Sequence, residues 1–208
     1  MKRFYAQTNP KRIKFNDPTI LITEKSSLKI YQEKKITLLL DGCVKEIKTK
    51  LIKNPAVLVY GKPGIQHRSI GFFSDVSIGY HYSNQLMPSQ KLTPQLTQLL
   101  KSVNLLLDAD FNGILVNKYA NGKDFIGQHC DDEKDLASIG VVTISYGAER
   151  IFRITSKLTG KLVKDINIKH GTIYHMSGDF QKEFKHGIPK QSKITQERIS
   201  FTFRKHLK

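Results

Sequence analysis

The chain of 208 residues lacks any run of 18 apolar residues, the length that a membrane-spanning helix needs. Its basic, polar N-terminus shows no signal-peptide pattern, and it has only two cysteines, Cys43 and Cys130. Two cysteines make no disulfide framework, which indicates a reducing compartment. We therefore expect a soluble, intracellular monomer with no membrane partner, nuclear in a eukaryote and otherwise cytoplasmic.

Acidic residues are also scarce. The chain has 34 Lys and Arg against 18 Asp and Glu, a net charge of +16. Residues 1–55 carry 13 basic and 5 acidic side chains, so this quarter of the chain holds +8, half of the excess. The excess favours nucleic acid as a partner, because neutralising phosphates releases counterions. The alternative is a lysine-rich surface that is only solvated.

One pattern with specific chemistry is present: H-x-D, then 54 residues, then a histidine. Residues two apart in a strand point to the same face, so His129 and Asp131 can converge on one ion while Cys130 points away as a small buried apolar residue. With His186 they match the facial triad of non-haem Fe(II) oxygenases. A lone H-x-D also arises by chance in many chains, so the interpretation depends on what accompanies it.

The motif is accompanied by the alternating run "RISFTFR" at residues 198–204. Its polar face would carry Arg198, Ser200, Thr202 and Arg204, with apolar residues on the opposite face. An iron of this type needs electrons from a co-substrate, and guanidinium groups fork onto carboxylates in a way that lysine cannot. The strand therefore suits a wall of a polar cavity that binds a dicarboxylate such as 2-oxoglutarate. Two arginines near a C-terminus can also be ordinary surface residues.

The remaining pattern predicts an α+β chain that is mainly β. Apolar residues at mostly helical spacing predict one helix over 38–52 and a second over 93–107, with short extended runs between them. After Phe111 the pattern is all strand, and many short strands with turn signals predict a double-stranded β-helix, or jelly-roll, core. We expect a basic arm at 1–20 and a single domain over 21–208, with a lid and hairpin at about 56–84 and the core at about 111–204.

From Val57 onward the chain resembles the AlkB family of Fe(II) and 2-oxoglutarate-dependent dioxygenases, and within it the eukaryotic branch that repairs duplex DNA. The resemblance covers roughly the last 150 residues, with the matching stretches in order and at family-like spacing. These stretches are "NKYANGKDFIGQHCDDE", "ISYGAERIFRI", "KHGTIYHM", "HGIPK" and "ERISFTFR".

The resemblance implies a metal and co-substrate site. His129, Asp131 and His186 would hold Fe(II), with 2-oxoglutarate and O2 as co-substrates. Arg198 would pair with the distal carboxylate of 2-oxoglutarate, and Arg204 would reach its metal-bound end. The other co-substrate residues would be Asn117, Tyr119, Ser200 and Thr202. At Ser200 relatives commonly have Asn, so one amide contact is missing here.

The segment "HRSIGFFSDVSIGYHYS" resembles the nucleotide-recognition lid of the family. Residues that would lie beside the target base are Arg68, Tyr80, Tyr82 and Ser83, while Tyr82, Phe72 and Phe73 could instead pack as ordinary strand residues. Asp132 would pair with Arg68 and hold the lid against the core, although it could also contact the base. Glu133 would contact the base.

The run "VLVYGKPGIQ" predicts a hairpin with Gly61, Pro63 and Gly64 at its turn. In the duplex-repair branch an aromatic residue at this distance before the lid arginine fills the gap that a flipped base leaves, and Tyr60 has that position here. The alternative is a tyrosine that only covers the base of the hairpin.

The resemblance implies oxidative demethylation of bases such as 1-methyladenine and 3-methylcytosine in DNA, with release of succinate, CO2 and formaldehyde. An RNA demethylase of the same family is the main alternative. A third alternative is a jelly-roll that binds nucleic acid without turnover, for which neither the triad nor the paired arginines would be needed.

Overall fold

The computed structural model describes residues 19–21, 23–59, 61–82, 85–131 and 139–206. The helices are α1 (Lys34–Ile47), α2 (Pro94–Leu107) and α3 (Phe180–Glu183). The strands are β1 (Thr19–Leu21), β2 (Ser26–Gln32), β3 (Ile52–Lys53), β4 (Ala56–Val59), β5 (Lys62–Ile65), β6 (Ser69–Phe73), β7 (Gly79–Tyr82), β8 (Gln85–Pro88), β9 (Gly113–Tyr119), β10 (Ile126–His129), β11 (Val141–Gly147), β12 (Arg150–Ser156), β13 (Leu162–Ile168), β14 (Thr172–Gly178), β15 (Phe184–Ile188) and β16 (Arg198–Arg204).

Two antiparallel sheets form the body of the fold. The larger has eight strands in the order β1-β2-β14-β11-β16-β9-β6-β3, and the smaller has four in the order β10-β15-β12-β13. Strand β16 lies at the centre of the large sheet, between β11 and β9. This arrangement confirms the predicted α+β, mainly β, jelly-roll class, in which two sheets face each other across a core.

The large sheet has a different covering on each face. On one face α1 and α2 pack against Ile199, Phe201 and Phe203 of β16 and their neighbours. On the other face a second apolar cluster, which includes Phe152 and Tyr174, joins the large sheet to the small one. The strands alternate apolar and polar residues because successive side chains point to opposite faces. A cavity therefore lies between the sheets, away from the helices.

The helices begin and end at residues that satisfy their backbone groups. The second helix was predicted over 93–107 and is present as α2, in which the Thr93 side chain accepts a hydrogen bond from the Leu96 backbone N–H and Pro94 occupies the first turn. The first helix was predicted over 38–52, but it begins at Lys34, since Glu33 caps the Lys35 amide, and it ends at Ile47. Ile52 belongs instead to β3, which pairs with β6.

The predicted hairpin is present as β4 paired with β5, but its turn is shorter than predicted. Gly61 lies in the turn with φ 75°, a conformation that glycine adopts readily. Pro63 and Gly64 were placed in the turn and are strand residues of β5, in register with Leu58 and Val57. The edge position of β5 explains why Pro63 is tolerated, since its missing N–H removes no necessary ladder bond.

Residues 1–18 of the predicted arm lie outside the described residues, and Thr19 and Ile20 belong to β1. Within the described part of the chain, no helix has the length and apolar character needed to cross a membrane.

Candidate metal and co-substrate site

The three predicted metal ligands come together at one end of the small sheet. His129 ends β10 and lies directly opposite His186 of β15, with ring centroids 4.4 Å apart. Asp131 follows two residues after the strand ends, with its carboxylate 3.9 Å from Nε2 of His129 and 3.5 Å from Nε2 of His186. One ligand atom from each residue lies within 4.8 Å of the others. The predicted convergence is confirmed, although Asp131 is not itself in the strand.

A glycine allows this approach. Gly187 follows His186, and a Cβ built there would lie 2.8 Å from the backbone oxygens of both Ile126 and Gly127. Real Cβ atoms are not found so close to backbone oxygens, so a side chain at this position would push β10 away from β15. The distance between the two imidazoles therefore depends on glycine at this position.

The imidazoles have the protonation states that a metal requires. The Nδ1 of His129 donates to the backbone oxygen of Gly127 at 2.9 Å, which leaves the Nε2 lone pair facing Asp131. Burial lowers the pKa of His129, with Asp131 opposing the shift. Burial and the neighbouring His129 lower the pKa of His186 to about 3. Both rings are therefore neutral at physiological pH, as metal coordination needs.

Asp131 is held as an anion. Its Oδ1 accepts a hydrogen bond from Nη2 of Arg204 at 2.7 Å, and its backbone N–H donates to the Gln181 side chain. Burial would raise the pKa of Asp131, but the Arg204 guanidinium and the two imidazoles outweigh burial and hold it well below its ordinary value. The guanidinium of Arg204 also lies under the Tyr80 ring, 4.9 Å from its centroid. Arg204, which was predicted to contact the co-substrate, thus also bonds to a candidate metal ligand.

The three candidate metal ligands open onto a cavity of about 40 Å³ between the two sheets. All four polar-face residues of β16 line it, as the alternation predicted, and so do Asn117 and Tyr119 of β9. The other lining residues are Arg68, Tyr80, Leu115, Ile126, Thr143, Phe152, Tyr174, Met176, Gly187 and Ile188.

Arg198 is the best candidate for binding an anion in this cavity. Its side chain is 1% exposed, and its Nε donates to Ser145 at 2.9 Å while Nη2 donates to the Tyr174 hydroxyl at 3.1 Å. The guanidinium lies 5.3 Å from the Tyr119 ring centroid. Its Nη1 is buried and has no hydrogen-bond partner among the residues that the structure describes. A buried unpaired donor on a cation is costly unless an anion completes it, so the site fits a carboxylate of 2-oxoglutarate.

The triad fits Fe(II) by the chemistry of its donor atoms. Two neutral imidazoles and one carboxylate on one side of a metal are the ligand set of non-haem Fe(II) oxygenases, which keep their other positions for substrates. The cavity therefore contains residues suited to the metal at one end and to a dicarboxylate at the other.

Three supporting residues were missed at the sequence level. Ser145 and Tyr174 anchor Arg198, and the Thr143 hydroxyl lies 3.2 Å from that of Thr202. Thr143 and Ser145 alternate along β11 on the face that lines the cavity, so the period-2 pattern of "VVTISYG" carried a signal. The role of Tyr174 depends on its neighbour across the sheet, which no local pattern reveals.

The lid residues lie in different places. Arg68 and Tyr80 are buried and line the cavity, while Phe72 and Phe73 are fully buried core residues, as the packing alternative predicted. Arg68 donates from Nε to Oδ1 of Asn117 at 2.7 Å. Tyr60, Ser83, Asp132 and Glu133 lie outside the described residues, as does the side chain of Tyr82. Cys130 was predicted to be buried and is only partly so.

Comparison with known proteins agrees with this geometry. Residues 29–204 match the family described as the 2OG-Fe(II) oxygenase superfamily. The chain is 30% identical over 159 residues to the DNA oxidative demethylase ALKBH2 of Bos taurus, covering 73% of this chain and 57% of that protein. The human protein of that name is also 30% identical, with 73% and 61% covered. The alpha-ketoglutarate-dependent dioxygenase alkB homolog 3 of Bos taurus is 32% identical over 135 residues, with 60% and 47% covered.

The chain thus spans about 60% of the length of the ALKBH2 proteins it matches. A solved structure, that of OsALKBH1, superposes with a TM-score of 0.56 at 14% identity, covering 91% of this chain and all of that one. That likeness supports the fold. With the His-Asp-His group, the matched span and these relatives taken together, the chain belongs to the 2OG-Fe(II) oxygenase superfamily and, within it, to the AlkB family.

Proposed function

We propose that the protein oxidatively demethylates N-alkylated bases of the 1-methyladenine and 3-methylcytosine type in DNA. One oxygen atom of O2 enters 2-oxoglutarate, which becomes succinate and CO2, and the other converts the N-methyl group to N-hydroxymethyl. The hydroxymethyl group then leaves as formaldehyde, with loss of its hydroxyl proton, and the electron pair of the broken C–N bond returns to the ring nitrogen as its lone pair. The observation that carries the proposal is the buried cavity with the candidate metal ligands at one end and, at the other, a guanidinium nitrogen of Arg198 that has no partner within the described part of the chain.

The residues of the chain have separable roles in this reaction. Fe(II), held by His129, Asp131 and His186, would supply the activation of O2 for attack on a C–H bond. Arg198 would bind the distal carboxylate of 2-oxoglutarate while Ser145 and Tyr174 fix its orientation. Arg204 keeps Asp131 ionised and aimed at the metal position. Phe152 and Met176 help exclude water from the cavity.

The remaining cavity residues complete the proposed binding of 2-oxoglutarate. They are Asn117, Tyr119, Ser200 and Thr202, all buried in β9 and β16. Ser200 lies opposite Asn117 on one side and Ser145 on the other, so a short hydroxyl occupies the position between two polar side chains.

Three features support nucleic acid as the substrate, and DNA in particular. The chain carries a net charge of +16, which suits a phosphate backbone. Two of the relatives are named DNA oxidative demethylases. Arg68 and Tyr80, which belong to the segment proposed as the lid, line the cavity. We assign the base-contacting roles to Arg68, Tyr80, Tyr82, Ser83, Asp132 and Glu133, and the role of filling the gap left by a flipped base to Tyr60.

The test is a turnover assay on three substrates. The protein is incubated with Fe(II), 2-oxoglutarate and 1-methyladenine placed in duplex DNA, single-stranded DNA or RNA, and methyl loss is followed by mass. We expect turnover on DNA. Turnover on RNA alone would replace the proposed substrate with RNA, and no turnover on any of the three would overturn the demethylase proposal.

A metal-ligand variant serves as the control. His186→Ala should abolish turnover because it removes one of the three metal ligands. Its salt-sensitive binding to DNA should persist, since phosphate contacts are spread over many lysines. If Tyr60→Ala lowers duplex and single-strand repair equally, the role assigned to Tyr60 is wrong.

A further inference from the structure

The amide of Asn117 has its two ends in different surroundings. Its oxygen accepts a hydrogen bond from Nε of Arg68 at 2.7 Å, and both residues are buried, at 6% and 4% exposed. Its NH2 group has no hydrogen-bond partner among the described residues, and the side chain lines the metal cavity. One end of the amide is therefore occupied, and the other is available to a ligand.

Arg68 determines which end of the Asn117 amide faces the cavity. A guanidinium can only donate, so the Asn117 amide must turn its oxygen toward Arg68. The NH2 group is then the end left for the cavity, where it can donate to a carboxylate. If Arg68 were absent, the amide could rotate by half a turn and present its oxygen to the same carboxylate, and two acceptors would repel each other.

We infer that Arg68 is a positioning residue for 2-oxoglutarate, which acts by fixing the orientation of the Asn117 amide. The inference rests on the proposed function for the ligand of the cavity and adds a role for Arg68 other than contact with a base. It also joins two parts of the molecule. Arg68 lies immediately before β6 and just after the β4–β5 hairpin, in the proposed lid, whereas Asn117 lies in the central part of the large sheet.

The strand register makes the contact specific. Ile70 of β6 is paired with Asn117, which is also paired with Ser200 of β16. The backbone of Asn117 is therefore held between two paired strands, and only its side-chain amide can rotate. The backbone oxygen of Arg68 accepts a hydrogen bond from the backbone N–H of Asn54 at 3.2 Å, which holds the arginine in place from outside the cavity.

The experiment measures 2-oxoglutarate binding by titration calorimetry with Mn(II) in place of Fe(II), without nucleic acid and without turnover. Arg68→Met should lower the affinity for 2-oxoglutarate about three- to tenfold, the range expected when one hydrogen bond is lost. Arg68→Lys should not restore binding, because lysine has no donor at the Nε position. Arg153→Met is the matched control, since Arg153 pairs with Asp165 in the small sheet and does not line the cavity.

A second pair of variants separates positioning from a purely structural role. Asn117→Asp keeps the acceptor for Arg68 but puts an oxygen where the NH2 group was. It should lower the affinity for 2-oxoglutarate more than tenfold without lowering the melting temperature. A structural role would leave binding unchanged in this variant. Arg68→Met combined with Asn117→Ala should be no weaker than Asn117→Ala alone, because the arginine acts through the amide.

Wild-type affinity in Arg68→Met, or losses that add up in the double variant, would overturn the inference. Wild-type protein that does not bind 2-oxoglutarate with Mn(II) would overturn it as well. Wild-type protein that binds 2-oxoglutarate but demethylates no substrate would overturn the proposed function alone, and the binding comparison would still support the role of Arg68.

Discussion

The two faces of β16 are equally buried and have opposite chemistry. Ile199, Phe201 and Phe203 face the helices, and Arg198 and Arg204 face the cavity, yet each of these five side chains is at most 2% exposed. Burial alone therefore does not distinguish the structural half of this strand from the functional half. The difference lies in what each side chain contacts.

The two faces differ in their expected contributions to the free energy of folding. Apolar burial stabilises by about 25 cal/mol per Å², so the helix-facing side chains are a main source of stability. Burying a guanidinium is unfavourable unless partners compensate it, and here the partners are Asp131 for Arg204 and two hydroxyl groups for Arg198. The cavity face should therefore add little stability.

The largest expected effect on stability comes from the apolar face. Phe201→Ala should lower the free energy of unfolding by about 3–5 kcal/mol, because it leaves a cavity between the sheet and the helices. Urea unfolding monitored by circular dichroism measures it. A loss of less than about 1 kcal/mol would contradict the assignment of stability to this face.

The matching change on the cavity face is Arg198→Met, which replaces the guanidinium with an apolar side chain. We expect 2-oxoglutarate affinity to fall about 100-fold, equivalent to about 3 kcal/mol, while the free energy of unfolding changes by less than about 1 kcal/mol. Calorimetric titration with Mn(II) and urea unfolding give the two values. A large loss of stability with intact binding would show that the cavity face stabilises the fold and does not bind 2-oxoglutarate.

An intermediate effect, on metal affinity, is expected at the contact between β10 and β15, which carry His129 and His186. Gly187→Ala should push β10 from β15 and weaken Mn(II) binding about tenfold, equivalent to about 1.4 kcal/mol. Gly127→Ala is the matched control, since no described residue has an atom within 4 Å of a Cβ built there. Equal metal affinity in the two variants would contradict the role given to the close approach at Gly187.

The smallest effect is a pH dependence on the apolar side. Burial, with Glu46, raises the pKa of Cys43 to about 12, so the folded thiol stays neutral while the unfolded one ionises above its ordinary value near 9. Between pH 9 and pH 10 this group should therefore lower the free energy of unfolding by about 1 kcal/mol. Cys43→Ala should have a shallower decline in unfolding free energy over that window, and an unchanged slope would contradict the assignment.

Sequence periodicity was enough to predict the cavity wall. The alternation of "RISFTFR" correctly separated Arg198 and Arg204 from the apolar side chains of β16, because the period of a strand is visible in the chain itself. The convergence of His129, Asp131 and His186 also followed from residue types and spacing. The start of α1 was wrong by four residues, since its cap is Glu33, a residue that is not among the commonest caps.

Contacts across the fold could not be predicted in the same way. The hydrogen bond from Arg68 to Asn117 joins residues 49 apart, and the pairing of Arg198 with Tyr174 depends on their strands being brought into one cavity. Neither contact has a local signature. Pro63 and Gly64 were assigned to a turn because their types favour turns, but strand pairing decided their conformation.

Arg150 links the two strands that carry the candidate histidine ligands. Its buried guanidinium donates to the backbone oxygens of Asn121, Asp124 and Pro189, which lie in the chain just before β10 and just after β15. The two segments that carry the histidine ligands are thus fastened together at the end opposite to the metal. In a hydrogen-exchange experiment we expect the amides of β10 and β15 to exchange late and together, as one cooperative unit, while those of the β4–β5 hairpin exchange early.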